Sequence, residues 1–286
     1  MKSNRVYIGL DFGATKTIAA SADENGNIIE KIRENTPQKL DEGMELFKRM
    51  IREVSGGEKI TAIGCATGGP LDWKTGIINF LHMPEWRDVP LKDIMEKEFD
   101  CPFYVDNDCN VAALGEIEFG EGLNYNDFIY ITISTGFGAG IIKDQKIFRS
   151  SSGEHPELGH QTVHTKKLSD VICRCGATNC LESLISGYAI ERHYGKHAEQ
   201  LTDGEWNEIG TLLGEGLRNI IVMHTPEVIF LGGGVALGGG EKLLRTVTEV
   251  IKKQVKIVKL PEVKLTPLGY EAPLKGAVAL AMKGFE

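Results

Sequence analysis

The stretch RVYIGLDFGATKTIAASADENGNIIEKIR, residues 5–33, decides the fold of the first part of the chain. Its apolar start is typical of a buried strand, DFGATKT supplies a glycine turn, and TIAASAD leads into a second strand. The sequence ENGN at 24–27 is a strong hairpin signal before IIEKIR. The stretch therefore predicts three consecutive antiparallel strands.

The same order of elements begins again at residue 128. FIYITISTGFGAGIIKDQKIF predicts two strands around a glycine-rich turn, with KDQK as the next hairpin. Apolar residues recur at helical spacing over 40–54, 205–224 and 241–256, and AIGCATGG, FYVDND and VIFLGGGVA are typical of buried strands. We therefore predict an α/β chain with an internal duplication, whose two halves pack across a cleft.

Composition narrows the class of protein. Of the 286 residues 42% are hydrophobic and 25% are charged, which is ordinary for a globular chain. The net charge is 32 − 40 = −8 and the basic residues are scattered, which argues against nucleic acid as the main partner. No apolar run has the length of a membrane span, and the N-terminal residues lack a signal-peptide pattern. We expect a cytoplasmic protein whose six cysteines stay reduced.

The segment ELGHQTVHTKKLSDVICRCGATNCLE, residues 157–182, predicts a metal site. Its cysteines follow the spacing C-x-C-x4-C, and three thiolates with one imidazole are a common structural set for Zn²⁺. The candidate ligands are His160, Cys173, Cys175 and Cys180. Glu157 and Glu182 flank this set, so the metal loop would hold both carboxylates rigidly.

Three glycine turns follow predicted strands and are candidates for nucleotide binding. A glycine lets the backbone approach a phosphate closely, and Thr or Lys side chains can donate to it. The candidate residues are Asp11, Gly13, Thr15, Lys16, Thr135, Gly136, Gly138, Gly233 and Gly234. Asp11 could hold Mg²⁺ through water, and the third turn could support an adenosine. Each turn alone also fits an ordinary hairpin, but three at equivalent strand ends predict a polyphosphate site.

These strings resemble a known family. DFGATKT and STGFGAG resemble the two phosphate loops of the actin-like ATPase superfamily, and ELGH…CRCGATNCLE resembles the signature of the ROK (repressor, open reading frame, kinase) sugar kinases. The resemblance implies an α/β actin-like ATPase (ribonuclease H-like) fold of two duplicated βββαβαβα domains around a cleft. It implies a first domain over 1–112, completed by a C-terminal helix at 273–286, and a second over 113–272.

The resemblance also implies roles for residues around Val105–Asn110. In the N-D-x-N motif Asp108 would be the catalytic base and Asn107 a sugar ligand, while Asp106 is disfavoured as the base. From the residues alone, the favoured interpretation is that Asp108 or Asn110 caps the following helix. The further sugar-contacting residues that the family implies are Gly69, Glu157, His160 and Glu182.

The implied activity is transfer of the γ-phosphoryl group of ATP, with Mg²⁺ and a structural Zn²⁺, to the 6-hydroxyl of a hexose. Glucose is the first expectation, with fructose or mannose next, because HPELGH resembles the fructokinase branch whereas CRCG resembles the glucokinase branch. His155 is interpreted as a turn residue, with a further sugar contact as the alternative. The alternatives are a kinase of N-acetylmannosamine or N-acetylglucosamine, a repressor, and a non-catalytic sugar sensor. The expected partners are a small sugar and a second or further copies of the chain, as a homodimer or homotetramer.

Overall fold

The computed structural model describes residues 5–80, 83–151, 153–165 and 171–285, and the chain is of the α/β class. It forms two compact units. The first comprises Met1–Glu121, Lys146–His155 and Glu271–Glu286, and the second comprises Gly122–Gln145 and Pro156–Tyr270. Among the described residues, none of the helices combines the length and the apolar character that a membrane span requires.

The strands confirm the predicted hairpins and add short ones that the sequence pattern missed. In chain order they are β1 (Val6–Phe12), β2 (Lys16–Ala22), β3 (Ile28–Asn35), β4 (Ile60–Thr67), β5 (Leu71–Asp72), β6 (Ile77–Ile78), β7 (Val89–Pro90), β8 (Phe103–Asn107), β9 (Phe128–Ile133), β10 (Phe137–Lys143), β11 (Lys146–Ile147), β12 (Val228–Gly232) and β13 (Glu262–Leu265). Two-residue strands such as β5 and β6 carry too little alternation to be recognised by periodicity.

The helices predicted over 40–54, 205–224 and 273–286 are present, and the structure adds two short helices between residues 181 and 194 that were not predicted. In chain order the helices are α1 (Leu40–Ser55), α2 (Leu91–Phe99), α3 (Asp108–Phe119), α4 (Leu181–Ile185), α5 (Gly187–Tyr194), α6 (Asp203–His224), α7 (Gly233–Gln254) and α8 (Ala272–Lys283). The helix predicted over 241–256 begins earlier than expected, because the residues that follow Gly233 are already helical after β12. Gly240, with φ 52° and ψ −138°, breaks this helix close to the expected start.

The sheet of the first unit has the order β3-β2-β1-β4-β8. Its first three strands are antiparallel, as predicted, whereas β1, β4 and β8 run parallel. The C-terminal helix α8 packs on this sheet through backbone-to-backbone approaches. A methyl group at Gly64 of β4 would overlap the carbonyl oxygen of Ala277, and one at Gly115 of α3 would lie 2.8 Å from the amide nitrogen of Gly276. Glycine is therefore needed where α8 meets β4 and α3.

The second unit contains the strand order β10-β9-β12-β13. Strand β9 is antiparallel to β10 and parallel to β12, which in turn is parallel to β13. Helix α6 begins with a reciprocal capping box between Thr202 and Glu205, and ends at Thr225 in the left-handed region. Its apolar side joins a core that includes Trp206, Leu213 and Ile221. This core supports the strand ends that carry the second and third glycine turns.

Candidate functional site

In the first unit, the candidate residues lie at the carboxyl ends of the parallel strands. Phe12 of β1 is in register with Thr67 of β4, and Thr67 is in register with Asn107 of β8. The turn after Asp11, the Gly68–Gly69 segment and the start of α3 therefore share one edge of the sheet. Ligands bind at such edges in open α/β sheets, because strand ends and helix N-termini converge there.

The side chain of Asn107, and not that of Asp108 or Asn110, is the N-cap of α3. Its Oδ1 accepts a hydrogen bond of 2.9 Å from the backbone N–H of Cys109. A methyl group at Gly69 would lie 3.9 Å from Asn107 Nδ2, so the Gly69 backbone passes beside this amide. Nδ2 of Asn107 therefore lies next to Gly69, which the family pattern relates to sugar.

Asp108 is the first residue of α3 and is half-buried by its exposed area. Burial raises the pKa of its carboxyl, and hydrogen bonds from the thiol and amide of Cys109 act in the opposite direction. A carboxylate with a raised pKa is a stronger proton acceptor than an ordinary surface aspartate. Asp108 is therefore the candidate for a general base.

Asp106 is committed to structural contacts. Its side chain is buried, with 3% exposure, and Oδ2 lies 2.5 Å from Nη2 of Arg149. Oδ1 accepts from the backbone N–H of Asn107 at 2.7 Å and from Nδ2 of Asn110 at 3.2 Å. The charge of Asp106 is neutralised and both of its oxygens are used, which distinguishes it physically from Asp108.

Asp11, at the end of β1, has a pKa raised to about 7, first by burial and then by the negative charge of Asp108, while Arg33 acts to lower it. Two carboxyl groups that repel each other at a strand edge are a suitable environment for a hard divalent cation. The donor set therefore fits Mg²⁺, which would be held by Asp11 and water. The positive charge of this cation would offset the negative charge of Asp108, which opposes ionisation of Asp11.

The first glycine turn is fixed from one side by hydrogen bonds. The N–H of Gly13 donates to the carbonyl of Lys16 at 3.0 Å. Thr36 Oγ1 donates to the carbonyl of Gly13 at 2.7 Å, and it lies 2.8 Å from Thr17 Oγ1. Thr15 and Lys16 are exposed and accessible to a ligand. The buried Thr17–Thr36 pair was not recognised from the sequence, since the two residues are far apart in the chain.

In the second unit, the second and third glycine turns adjoin. The second turn closes with a hydrogen bond from the N–H of Ser134 to the carbonyl of Gly136 at 2.9 Å, and Gly138 follows in β10. Gly233 has φ 84°, and a methyl group there would overlap the carbonyl oxygen of Ile133, at the end of β9. Around Gly234 an added methyl group would meet no atom within 4 Å, which leaves an open backbone surface.

The four predicted metal ligands meet in the second unit. The ligand atoms of His160, Cys173, Cys175 and Cys180 all lie within 4.8 Å of one another. Cys173 Sγ is 3.6 Å from His160 Nδ1, and Cys175 Sγ is 3.6 Å from Cys180 Sγ. Tetrahedral Zn²⁺ with Zn–S bonds of about 2.3 Å separates its sulfur ligands by about 3.8 Å. The chemistry and spacing of this donor set therefore fit a structural zinc ion.

His160 presents its two ring nitrogens to different surroundings. Nδ1 faces Cys173, whereas Nε2 lies 4.0 Å from Oε2 of Glu157. The side chain of Glu157 is 60% exposed and that of His160 is 30% exposed, so both residues of this pair are in contact with solvent. Ligation through Nδ1 would fix the tautomer that leaves Nε2 as a hydrogen-bond donor.

Glu182 contacts the second glycine turn. Its Oε2 accepts a hydrogen bond of 3.0 Å from the backbone N–H of Phe137, and a methyl group at Gly136 would lie 3.0 Å from the same oxygen. The sequence pattern indicated neither this contact nor the contact between Arg149 and Asp106. The two residues of each pair come from different segments of the chain, so no local periodicity connects them.

Comparison with known proteins identifies relatives of this chain. A sequence model of the ROK family matches residues 7–284. The chain is 30% identical to a glucokinase of Halalkalibacterium halodurans over 96% of this chain and 94% of that protein. It is 27% identical to a xylose repressor of Caldicellulosiruptor bescii, over 96% of this chain and 77% of the repressor.

A solved structure gives the same relationship in three dimensions. A ROK family glucokinase from Streptomyces griseus, in complex with glucose and AMPPNP, is 29% identical and superimposes with a TM-score of 0.84 over 98% of this chain and 100% of that one. The predicted actin-like ATPase fold is thereby confirmed. Because the family model covers nearly the whole sequence, this chain belongs to the ROK family.

Proposed function

We propose that the protein is an ATP-dependent hexose kinase that transfers the γ-phosphoryl group of ATP to the 6-hydroxyl of a free hexose. Glucose is the substrate that we expect first, with fructose or mannose next. The observation that carries the proposal is the contrast between two neighbouring carboxylates. Asp106 is neutralised by Arg149, whereas Asp108 has a raised pKa at the start of α3.

Asp108 accepts the proton of the sugar hydroxyl and orients its oxygen for attack on the γ-phosphate. Phosphoryl transfer requires little covalent chemistry from the protein, so positioning and charge stabilisation supply most of the rate enhancement. Asn107 donates through Nδ2 to a sugar hydroxyl, while the Gly69 backbone bounds the same space. The proton moves from the sugar hydroxyl to a carboxylate oxygen of Asp108.

The nucleotide is assigned to the glycine turns. Gly13, Thr15 and Lys16 form the first phosphate turn, and Asp11 would hold Mg²⁺, whose charge offsets that of the phosphates. Thr135, Gly136 and Gly138 form the second phosphate turn. The open backbone at Gly234, behind the close approach of Gly233 to β9, is assigned to the adenosine.

The predicted Zn²⁺ would be held by His160, Cys173, Cys175 and Cys180, where it would be structural rather than reactive, because all four ligands come from protein. His160 and Glu157 would then present Nε2 and a carboxylate to the sugar hydroxyls. We also propose the two domains predicted from the sequence, a cytoplasmic location, and assembly as a homodimer or homotetramer.

The decisive experiment measures ADP release from the zinc-loaded protein with Mg²⁺·ATP across a sugar panel. The panel contains glucose, fructose, mannose, N-acetylmannosamine and N-acetylglucosamine, with Asp108→Asn as the inactive control. We expect sugar-dependent ADP release with glucose at the highest kcat/KM. A highest value for an N-acetylated sugar would transfer the assignment to amino-sugar phosphorylation, and no release with any sugar would refute the kinase.

A sugar sensor without catalysis is the second candidate, because the chain is also similar to a xylose repressor. Calorimetry of the same sugars distinguishes the two functions. A sensor binds a sugar without releasing ADP, whereas a kinase does both. The presence of Asp11, Asp108 and both phosphate turns favours the kinase.

A further inference from the structure

The second glycine turn, Ser134–Phe137, is tied to the two helices that follow the metal cluster. The N–H of Gly187 donates to the carbonyl of Ser134 at 2.6 Å, and the N–H of Tyr188 donates to the carbonyl of Thr135 at 3.3 Å. These bonds hold the turn through its carbonyl groups. The peptide N–H of Phe137 is held separately, by the carboxylate of Glu182.

Glu182 reaches the turn from a rigid position. It is the second residue of α4, and it follows Cys180 by two residues. Cys180 and Leu181 are fully buried, and the N–H of Leu181 donates to the carbonyl of Gln161 at 2.9 Å. The backbone around Glu182 is thus anchored on both the metal cluster and the protein core.

We propose that Glu182 is a positioning residue for the nucleotide: its carboxylate fixes the Gly136–Phe137 peptide so that the second turn is set for phosphate. This inference rests on the proposed kinase function and deepens it. The family pattern relates Glu182 to sugar binding, and the second carboxylate oxygen, Oε1, would be sufficient for that role. The side chain of Glu182 would then act on both substrates, and its effect on nucleotide affinity can be measured separately from its effect on sugar affinity.

The sign of the charge supports a positioning role over direct binding. A carboxylate repels phosphate oxygens, so Glu182 cannot act as a phosphate ligand. By accepting a hydrogen bond from the N–H of Phe137, Glu182 fixes the orientation of the Gly136–Phe137 peptide. The orientation of this peptide determines the direction in which the other peptide groups of the turn point. Gly136 leaves room for this carboxylate, since a Cβ at that position would lie 3.0 Å from Oε2 of Glu182.

The test measures ADP affinity by calorimetry without sugar, using wild type, Glu182→Gln, Glu182→Ala and Glu157→Ala, each with its zinc content determined. The amide oxygen of Gln can accept from Phe137 N–H, whereas Ala leaves that donor unpaired. We expect Ala at 182 to weaken ADP binding about tenfold, because the second turn would then occupy its phosphate-binding conformation for a smaller fraction of the time. Gln at 182 should stay within about threefold of wild type, because it keeps the hydrogen bond but not the charge.

Glu157→Ala is the matched control, because it removes the other carboxylate assigned to sugar and should leave ADP affinity unchanged. Hydrogen exchange at the Phe137 amide gives a second readout, with protection lost in Glu182→Ala and kept in Glu182→Gln. Wild-type ADP affinity in Glu182→Ala at full zinc content would overturn the inference, as would equal weakening in Glu157→Ala. If wild type does not bind ADP at all, the proposed kinase function itself fails.

Discussion

Arg149 Nη2 lies 2.5 Å from Oδ2 of Asp106, and the guanidinium carbon of Arg149 lies 3.8 Å from the centre of the Trp73 ring. Arg149 comes from the segment Lys146–His155, so a distant part of the chain completes the strand end that carries Asp106. This pair neutralises Asp106 and leaves Asp108 as the candidate base of the proposed reaction.

Asp108→Asn should lower kcat by about 10²- to 10⁴-fold, because an amide cannot accept the hydroxyl proton. Sugar and ADP affinities measured by calorimetry should change little. Asp106→Asn is the matched control, and its main effect should be on stability, since it leaves the charge of Arg149 unpaired. If Asp108→Asn turned over at a rate near that of wild type, the assignment of the base would be wrong.

Arg149→Met should lower the free energy of unfolding by about 3 kcal/mol, because it leaves a buried carboxylate without its partner. The double variant Asp106→Asn/Arg149→Met removes both charges and should recover a large part of that loss. Urea denaturation of the wild type, both single variants and the double variant gives the coupling energy. Strictly additive effects would show that the ion pair contributes nothing specific to stability.

The stability of the protein should depend on the protonation of His155. The pKa of His155 is lowered to about 4, mainly by burial. The negative charge of Asp106 acts to raise this pKa, and the positive charge of Arg149 acts to lower it. The unfolded chain binds more protons between pH 6.5 and 4, so this contribution is complete above pH 6.5 and is lost as the pH falls toward 4.

A His155→Gln variant removes this dependence and provides the comparison. The difference in unfolding free energy between wild type and variant should change by about 1–3 kcal/mol from pH 7 to pH 4.5. Taking the difference at each pH cancels the protonation of the metal ligands, which both proteins share. A difference that is constant across this range would contradict the buried neutral state of His155.

Removal of zinc by a chelator should loosen the segment around His160 and weaken sugar binding. The three thiols and the imidazole would lose the ion that fixes their mutual distances, and Nε2 of His160 would lose its fixed tautomer. Calorimetry with glucose and hydrogen exchange over 171–182 measure both effects, and added Zn²⁺ should reverse them. Unchanged sugar affinity in fully metal-free protein would show that the metal does not organise the sugar site.

Gly233→Ala and Gly234→Ala form a matched pair in the third turn. Gly233 has φ 84°, and an added methyl group would overlap the Ile133 carbonyl oxygen, so Gly233→Ala should cost more than about 1 kcal/mol of stability. Around Gly234 the added group meets open space, so Gly234→Ala should keep wild-type stability. If adenosine lies there, ADP affinity should nevertheless fall in Gly234→Ala.

Local patterns in the sequence were sufficient for much of the fold. The three antiparallel strands at 5–33 follow from alternation and from the ENGN turn, and α6 follows from its apolar stripe, because these signals lie between residues close in the chain. The start of α7 at Gly233 does not follow from the sequence pattern. Glycine has low helix propensity, so the glycine-rich residues at the start of α7 carry no helix signal of their own.

The sequence by itself predicted the candidate ligands of the metal cluster, through the spacing C-x-C-x4-C and a histidine in the same segment. It also determined the family, through two glycine turns and the metal signature. Only the tertiary structure decided which of Asp106 and Asp108 is neutralised, and that Glu182 contacts Phe137. Those choices depend on contacts across 43 and 45 residues, which chain topology creates and local spacing cannot encode.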